Sequence, residues 1–545
     1  MHIEFIGACH EVTGSCHFVS ANGHKILIDC GMEQGPDLYE NQSLPVNASE
    51  IDAVLITHAH IDHSGLLPLL YNHGFRGKIY CTEATRQLCD IMLRDSAHIQ
   101  ESEIEWKNRK ARRTGRPEIE PIYSMKDAYE VMRCFVGVRY HDIVNICDGI
   151  KARFVDAGHL LGSSSIEVWL REDDIERKIV FSGDIGNDNI PLIKNFETIS
   201  EADYVLTEST YGDRLHEKSE SGVAKNGYYF ATELASLIET TLKNGGNLVI
   251  PAFSVGRTQE ILYFIRMIKE DEMIPGFKDF PVYMDSPLAV EATTIFRENI
   301  SECFDDEARE LVKKGINPIS FKGLHVAVTP AESKAINEDK TPKVIISASG
   351  MCEAGRIRHH LKHNLWRSEC TIAFVGYQVP GTLGHKLLGG ADEVRLFGED
   401  VLVMARIARL PGLSGHADRD GLLRWISGFK KPPKKVFVVH GDDLVVDDFA
   451  KLITEKTGFI SVAPYSGDAY DLITGEQISY GSTKKKERAT ESRGGRANMR
   501  IYERLLACGQ RMLTVIRKNQ GLNNKDMAKF ADQLTALCDK WDRKD

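Results

Sequence analysis

Eight consecutive residues, Thr57-His58-Ala59-His60-Ile61-Asp62-His63-Ser64, hold the densest chemistry in the chain. Three histidines and an aspartate fall within six positions, in a chain with 19 histidines among 545 residues. Chance surface histidines beside a turn do not cluster in this way. Imidazole nitrogen and carboxylate oxygen, with no thiolate among them, suit zinc in a catalytic rather than a structural site. His58 and His60 lie two apart, which in extended chain turns both rings to the same side. Asp62 and His63 follow on the turn and can face a second position. One short segment can therefore hold two metal ions close together.

Such a segment needs a strand before it and a helix after it. Residues 51–56 are apolar and rich in β-branched side chains, the pattern of a buried strand. Residues 65–70 open a helix, since Pro68 is tolerated only near a helix start. Further ligands should then stand at later strand ends. A strand near 154–157 runs into Gly158-His159, and one at 178–181 ends in Ser182-Gly183-Asp184. The flanking glycines let backbone approach closely there, and a carboxylate in that place can bridge two cations. A strand at 435–439 ends in His440-Gly441. His416, in Ser414-Gly415-His416-Ala417-Asp418, follows no clean strand. Asp29 closes a strand at 25–28 and is a candidate for orienting a metal-bound histidine; the plainer role for it is a turn acid.

The bulk of the chain sets limits on this reading. Hydrophobic content of 42% and charge of 27% are those of a soluble globular protein, and 545 residues suggest two to four domains. No apolar run reaches the length of a membrane span. The 12 cysteines are scattered without a Cys-x-x-Cys pair, which points to a reducing cytoplasm and excludes a disulfide frame or zinc ribbon. A net charge of −10 opposes a polyanionic partner, so any nucleic-acid contact must use a local basic patch. Residues 83–133 read as mostly helical, with His98 in a structural role. Residues 213–385 alternate helix and strand patterns, the signature of a parallel sheet with its own core. Within them, the turns at 251–259 and 347–351 have small residues and N–H groups free for an anion, so Arg257, Ser349 and Gly350 are candidate substrate contacts; the competing reading is that these turns only shape the domain seam. Residues 484–500 read as a flexible basic linker. Helical spacing then recurs twice up to residue 545, a helical hairpin that could dimerise or bind a partner.

The ordered strings, residues 57–65, Gly158-His159, Ser182-Gly183-Asp184, Glu208-Ser209-Thr210-Tyr211-Gly212, Ser414 to Asp418 and Val439-His440-Gly441, resemble the β-CASP group of metallo-β-lactamase-fold nucleases. That group includes bacterial and archaeal RNA-processing enzymes and the nuclease subunit of the eukaryotic cleavage and polyadenylation factor. The resemblance covers residues 1–480. It implies an α/β fold, a four-layer αββα metallo-β-lactamase domain formed by 1–208 and 386–480, with an α/β β-CASP domain inserted at 209–385 and a basic linker and helical tail at 481–545. It implies that His58, His60 and His159 hold one zinc ion, that Asp62, His63 and His440 hold the other, and that Asp184 bridges them. Asp62 counts as catalytic as well as ligating. His416 would protonate the leaving 3′ oxygen, with Glu208 holding its ring and raising its pKa. The implied substrate is single-stranded RNA, cut to 5′-phosphate and 3′-hydroxyl products by endonuclease or 5′-to-3′ exonuclease action. RNA rather than DNA rests on His440, since DNA-directed members have an apolar residue at the matching position. Asp442 departs from the Glu of many members. Three rival functions share the fold. A small-molecule hydrolase of the same superfamily would lack the long insertion and the Glu208/His416 pair. A DNA nuclease would lack His440. A non-catalytic scaffold would have lost metal ligands, and none is missing here.

Overall fold

In a computed structural model, which describes residues 1–34, 39, 41–115, 117–188, 190–216, 226–410, 413–485, 496–519 and 524–541, the apolar run before the histidines is the strand Ala53–Leu55, wholly buried. It lies in an eight-stranded sheet ordered Gln477–Ser479, Ala469–Asp471, His2–Gly7, Cys16–Ala21, His24–Ile28, Ala53–Leu55, Lys78–Thr82 and Phe135–Val138. The N-terminal strands pair antiparallel around the Asn22-Gly23 turn, and from His24–Ile28 outward the pairing is parallel. A seven-stranded sheet is ordered Ser461–Val462, Lys435–Val438, Tyr204–Thr207, Ile175–Phe181, Ser164–Glu172, Ile150–Asp156 and Ile143–Cys147.

The two sheets pack face to face because each presents large apolar side chains inward. Phe5 of the first meets Phe437 of the second with ring centroids 4.9 Å apart. Helices close the outer faces. Glu83–Arg113 and Met125–Val131 bury Leu88, Leu93, Ala128 and Val131 on the side of the first sheet. Arg419–Ile426 and Asp443–Thr457 pack Trp425 and Phe449 against Val180, Val205 and Val436 of the second. The layer order is helix, sheet, sheet, helix. Pro68 stands in the first turn of the helix Leu67–Asn72. A shorter helix, Ile61–Ser64, precedes it and carries Asp62 and His63.

After Thr207 the chain builds a third sheet, all parallel, ordered Leu324–Val326, Val282–Asp285, Val344–Ser347, Leu248–Pro251, Thr371–Val375 and Arg406–Leu410. The last strand comes after residue 385: Val375 pairs with Leu410, so the chain leaves this sheet only after 410. Arg406 and Arg409 are exposed on that edge strand, so it lacks the continuous apolar run that marks an inner strand. The tail forms the helices Arg496–Lys518 and Asn524–Trp541, and the Thr514 hydroxyl of the first lies 3.1 Å from the Ser49 hydroxyl. The linker reading falls largely on residues 486–495, outside the described residues. Among the described residues no helix is long and apolar enough to cross a membrane.

Trp425 is 0% exposed beneath the second sheet. Trp425→Ala is expected to lower stability by about 3–5 kcal/mol, read as an earlier midpoint in urea unfolding. An unchanged midpoint would contradict this packing.

Candidate metal centre

The strand Ala53–Leu55 stops because Asp29 takes over its hydrogen bonding. Asp29 is buried at the end of the neighbouring strand, and its carboxylate accepts the Thr57 N–H at 2.8 Å and the Thr57 hydroxyl at 2.9 Å. The chain then stays extended through His60 and turns into the helix Ile61–Ser64. That reversal sends His58 and His60 one way and Asp62 and His63 the other. Residues from the second sheet complete both sides: His159 and Asp184 from loops after its strands, and His440 directly after Lys435–Val438.

Two groups of donor atoms that share no residue result, His58, His60, His159 and Asp184 in one, Asp62, His63 and His440 in the other, each within 4.8 Å, and Asp184, Glu208 and His440 form a third across them. In the first, His60 Nδ1 lies 2.9 Å from His58 Nε2 and 3.3 Å from His159 Nε2. In the second, His63 Nε2 lies 3.2 Å from His440 Nε2, and His440 Nε2 is 3.6 Å from Asp62 Oδ2. Asp184, 2% exposed, faces both groups. Its Oδ2 is 3.5 Å from His58 Nε2 and 3.6 Å from His159 Nε2, while its Oδ1 is 3.3 Å from His63 Nε2.

These residues fit metal ions. Ring nitrogens that face one another with their lone pairs inward repel unless a proton or a cation lies between them. Four of the opposite nitrogens already have a partner: His58 Nδ1 the Thr57 hydroxyl (3.1 Å), His63 Nδ1 the Asp29 carboxylate (2.7 Å), His159 Nδ1 the Gly415 carbonyl (2.9 Å) and His440 Nδ1 the Thr210 hydroxyl (3.1 Å). Such contacts fix the tautomer and aim the other nitrogen inward. Asp184 Oδ1 is buried with no hydrogen-bond donor, an expensive state for a carboxylate oxygen without a cation. Burial pushes the His58 and His159 pKa values well down, which keeps both rings neutral and able to ligate. Burial would do the same to His63, but the Asp184 and Asp29 carboxylates hold it well above the usual value. Sequence reasoning does not single out Thr57, Thr210 or the Gly415 carbonyl. The threonines sit inside the family-like strings and are findable there; a backbone carbonyl leaves no signal in residue types.

Beside the cluster stands His416, 21% exposed, with Nδ1 3.3 Å from the Oε2 of Glu208, which is 1% exposed. It is placed by a β-bridge to Gly186 and by the Ala417 N–H donating to the Ile185 carbonyl. Glu208 is fixed in turn by the Ile185 N–H at 2.5 Å. His416 Nδ1 is 3.9 Å from Asp184 Oδ2, and its ring lies 4.4 Å from that of His159. Burial alone would lower the His416 pKa; the Glu208 carboxylate, helped by those of Asp184 and Asp62, raises it to about 9.

The candidate substrate residues lie on loops of the third sheet. Gly256, at φ 81°, comes so close to the first domain that a Cβ there would sit 3.2 Å from Leu160, next to His159. Arg257 follows it. Burial pushes the Tyr211 pKa up, and Arg257 is near enough to offset part of that rise; the Tyr211 ring borders His416. The Arg257 guanidinium pairs with Glu260 at 2.5 Å. Ser349 is bound within its own loop to Ala354, and Gly350 lies against the half-exposed Phe253 ring. One expectation is corrected: the N–H groups of Arg257, Thr258 and Ser349 are not free for an anion, because they donate to carbonyls of their own turns.

Asp29→Ala strands the Thr57 N–H and frees the His63 ring, and metal affinity should fall about 10–100-fold in competition with a chromophoric chelator; unchanged affinity would contradict the orienting role. His416, with its folded pKa raised, stabilises the metal-free fold fully below pH 6.5 and loses that contribution as pH rises through about 9. In Glu208→Gln the main counterweight to burial is gone, so the His416 pKa by NMR should fall towards the ordinary 6.5 or below it. A value still near 9 would contradict the pairing.

Comparison with known proteins agrees with this architecture. Residues 11–210 match the metallo-β-lactamase superfamily, 258–387 the β-CASP domain, and 400–464 the Zn-dependent metallo-hydrolase RNA specificity domain. The chain is 34% identical over 466 residues to "Ribonuclease TTHA0252" of Thermus thermophilus, covering 85% of this chain and 99% of that protein. It is 31% identical to an "RNase J-like protein" of Methanocaldococcus jannaschii (85% and 98% covered) and 30% identical to "Transcription termination factor FttA" of Methanosarcina mazei (84% and 69%). A crystal structure of a protein of unknown function from Enterococcus faecalis V583 shares the fold at 14% identity and a TM-score of 0.50, with 86% and 99% covered. The three matched domains, in this order around one His/Asp cluster, make the chain a member of the metallo-β-lactamase superfamily, in its β-CASP group.

Proposed function

We propose that this protein is a zinc-dependent ribonuclease that hydrolyses phosphodiester bonds of single-stranded RNA to 5′-phosphate and 3′-hydroxyl products. The observation that carries this is the placement of Asp184 between two groups of inward-aimed donors, with the Glu208–His416 pair at its edge. The nitrogen and oxygen donors, without thiolate, favour two zinc ions, one at His58, His60 and His159, the other at Asp62, His63 and His440. When bound, they supply Lewis-acid charge and a water activated near neutral pH.

The chain's own groups do the rest. Asp184 and Asp62 place negative charge where the ions sit, and Asp29, Thr57, Thr210 and Gly415 keep the histidines aimed. His416 is held protonated at neutral pH by Glu208 and donates that proton to the leaving 3′ oxygen, a general-acid step worth about 10²–10⁴-fold. In this reading RNA passes over the loops of the β-CASP domain that carry Arg257, Ser349 and Gly350; the contact of Gly256 with Leu160, which puts the first of these loops beside the cluster, supports it. The ribonuclease names of the relatives and the RNA specificity domain, which contains both His416 and His440, support RNA as substrate. In this reading the enzyme works in the cytoplasm on RNA processing or decay.

The test is cleavage of a 5′-labelled RNA of about 30 nucleotides beside the matching DNA, with and without a chelator. RNA alone should be cut, and the chelator should stop it; equal cutting of DNA would contradict the reading. His440→Ala should abolish cleavage. His416→Ala should keep its metal and lose about 10²–10⁴-fold in kcat. Because His416 must be protonated to act, kcat should fall on the alkaline side of the pH profile, and that limb should be missing in His416→Ala.

A further inference from the structure

Asp285 ends the strand Val282–Asp285, is 0% exposed, and has no part in the chemistry above. Its carboxylate accepts from three side chains: Ser333 Oγ at 2.5 Å, Arg356 Nη1 at 2.7 Å and His360 Nε2 at 2.6 Å. His360 is also fully buried, and its Nδ1 faces Asn337 Oδ1 at 3.0 Å. Arg356 donates further to the carbonyls of Ala327 (3.1 Å) and Val328 (2.5 Å). A charged group this deep in a fold is costly, and apolar packing would join the same elements at lower cost. What a fully satisfied polar network adds is a single fixed arrangement.

The arrangement it fixes is that of two loops. Loop 348–356 is pinned at its far end by Arg356. At its near end the Ile357 N–H donates to the Ala348 carbonyl at 3.1 Å, and the Ser349 N–H to the Ala354 carbonyl at 3.3 Å. Gly355, at φ 79°, lies so close to Ala348 that a Cβ would stand 2.5 Å from its carbonyl oxygen. Loop 252–256 is joined to the same strand end. The Ala252 N–H donates to the Ser347 carbonyl (3.0 Å), the Ser347 hydroxyl donates to the Asp285 carbonyl (2.9 Å), and the Ser286 hydroxyl meets that of Ser254 (3.0 Å). The end of the strand Val282–Asp285 is therefore tied to both the loop bearing Ser349 and Gly350 and the loop bearing Phe253, and those loops touch where Gly350 meets Phe253.

We infer that Asp285, Arg356 and His360 are positioning residues for RNA: they set the spacing of the two loops along which the strand lies, without touching RNA or the metal ions. This rests on reading Ser349 and Gly350 as substrate contacts. The test uses the full chain with zinc bound, comparing His360→Gln and Arg356→Lys with Ser349→Ala as a control for that reading. KM and kcat on single-stranded RNA, bound zinc and the thermal midpoint are measured for each. The expected result is a rise in RNA KM of about tenfold in both network variants, with kcat within about twofold and full zinc content. If Ser349→Ala raises KM while neither network variant does, the positioning role is overturned and the substrate reading stands. If none of the three moves KM, both are overturned. Loss of kcat and zinc together with the thermal midpoint would reduce the network to a core anchor and also overturn the inference.

Discussion

A carboxylate with 2% exposure, set among histidines and given no hydrogen-bond donor on one oxygen, dictates what must surround it. Asp184 cannot remain ionised in that place without positive charge on both sides. The fold answers by aiming imidazoles at it from both sides, four of them with the outer nitrogen already occupied. The outer partners are as much a part of the answer as the rings. Without Asp29, Thr57, Thr210 and the Gly415 carbonyl, the rings could turn and the inward nitrogens would no longer converge.

The ligands come from both sheets, so their spacing is a property of the core. His58, His60, Asp62 and His63 hang from the first sheet, and His159, Asp184 and His440 from the second. The Phe5–Phe437 contact and the residues around it hold the two sheet edges at one separation. Close packing of this kind transmits displacement rather than absorbing it. The third sheet is joined at the same edge, where Gly256 meets Leu160 beside His159. The loops of the third sheet and the His/Asp cluster are thereby referred to one frame, and the network around Asp285 lies at the same end of that sheet as the loops it ties together.

The cluster is legible in the sequence because its residues follow local rules. His58, His60, Asp62 and His63 sit on one turn, and His159, Asp184 and His440 follow apolar runs that end in glycine or next to it. His416 is not placed by position, because a single bridge to Gly186 and one backbone bond to Ile185 hold it, and neither leaves a strand pattern. The strand Arg406–Leu410 escapes notice for a related reason: an edge strand with exposed arginines has no apolar run, so the inserted sheet looks shorter than it is. The amides of Arg257, Thr258 and Ser349 look free because turn hydrogen bonds within a loop cannot be told from composition. Asp285 precedes Arg356 by 71 residues and His360 by 75, and only the topology of the parallel sheet brings it to that pair.

Anomalous X-ray diffraction at the zinc edge, from crystals of the zinc-loaded protein, would locate the ions relative to Asp184 without any assumption about activity. Two peaks are predicted, one against His58, His60 and His159, the other against Asp62, His63 and His440, with Asp184 between them. A single peak, or zinc bound away from Asp184, would contradict a two-ion centre bridged by this carboxylate.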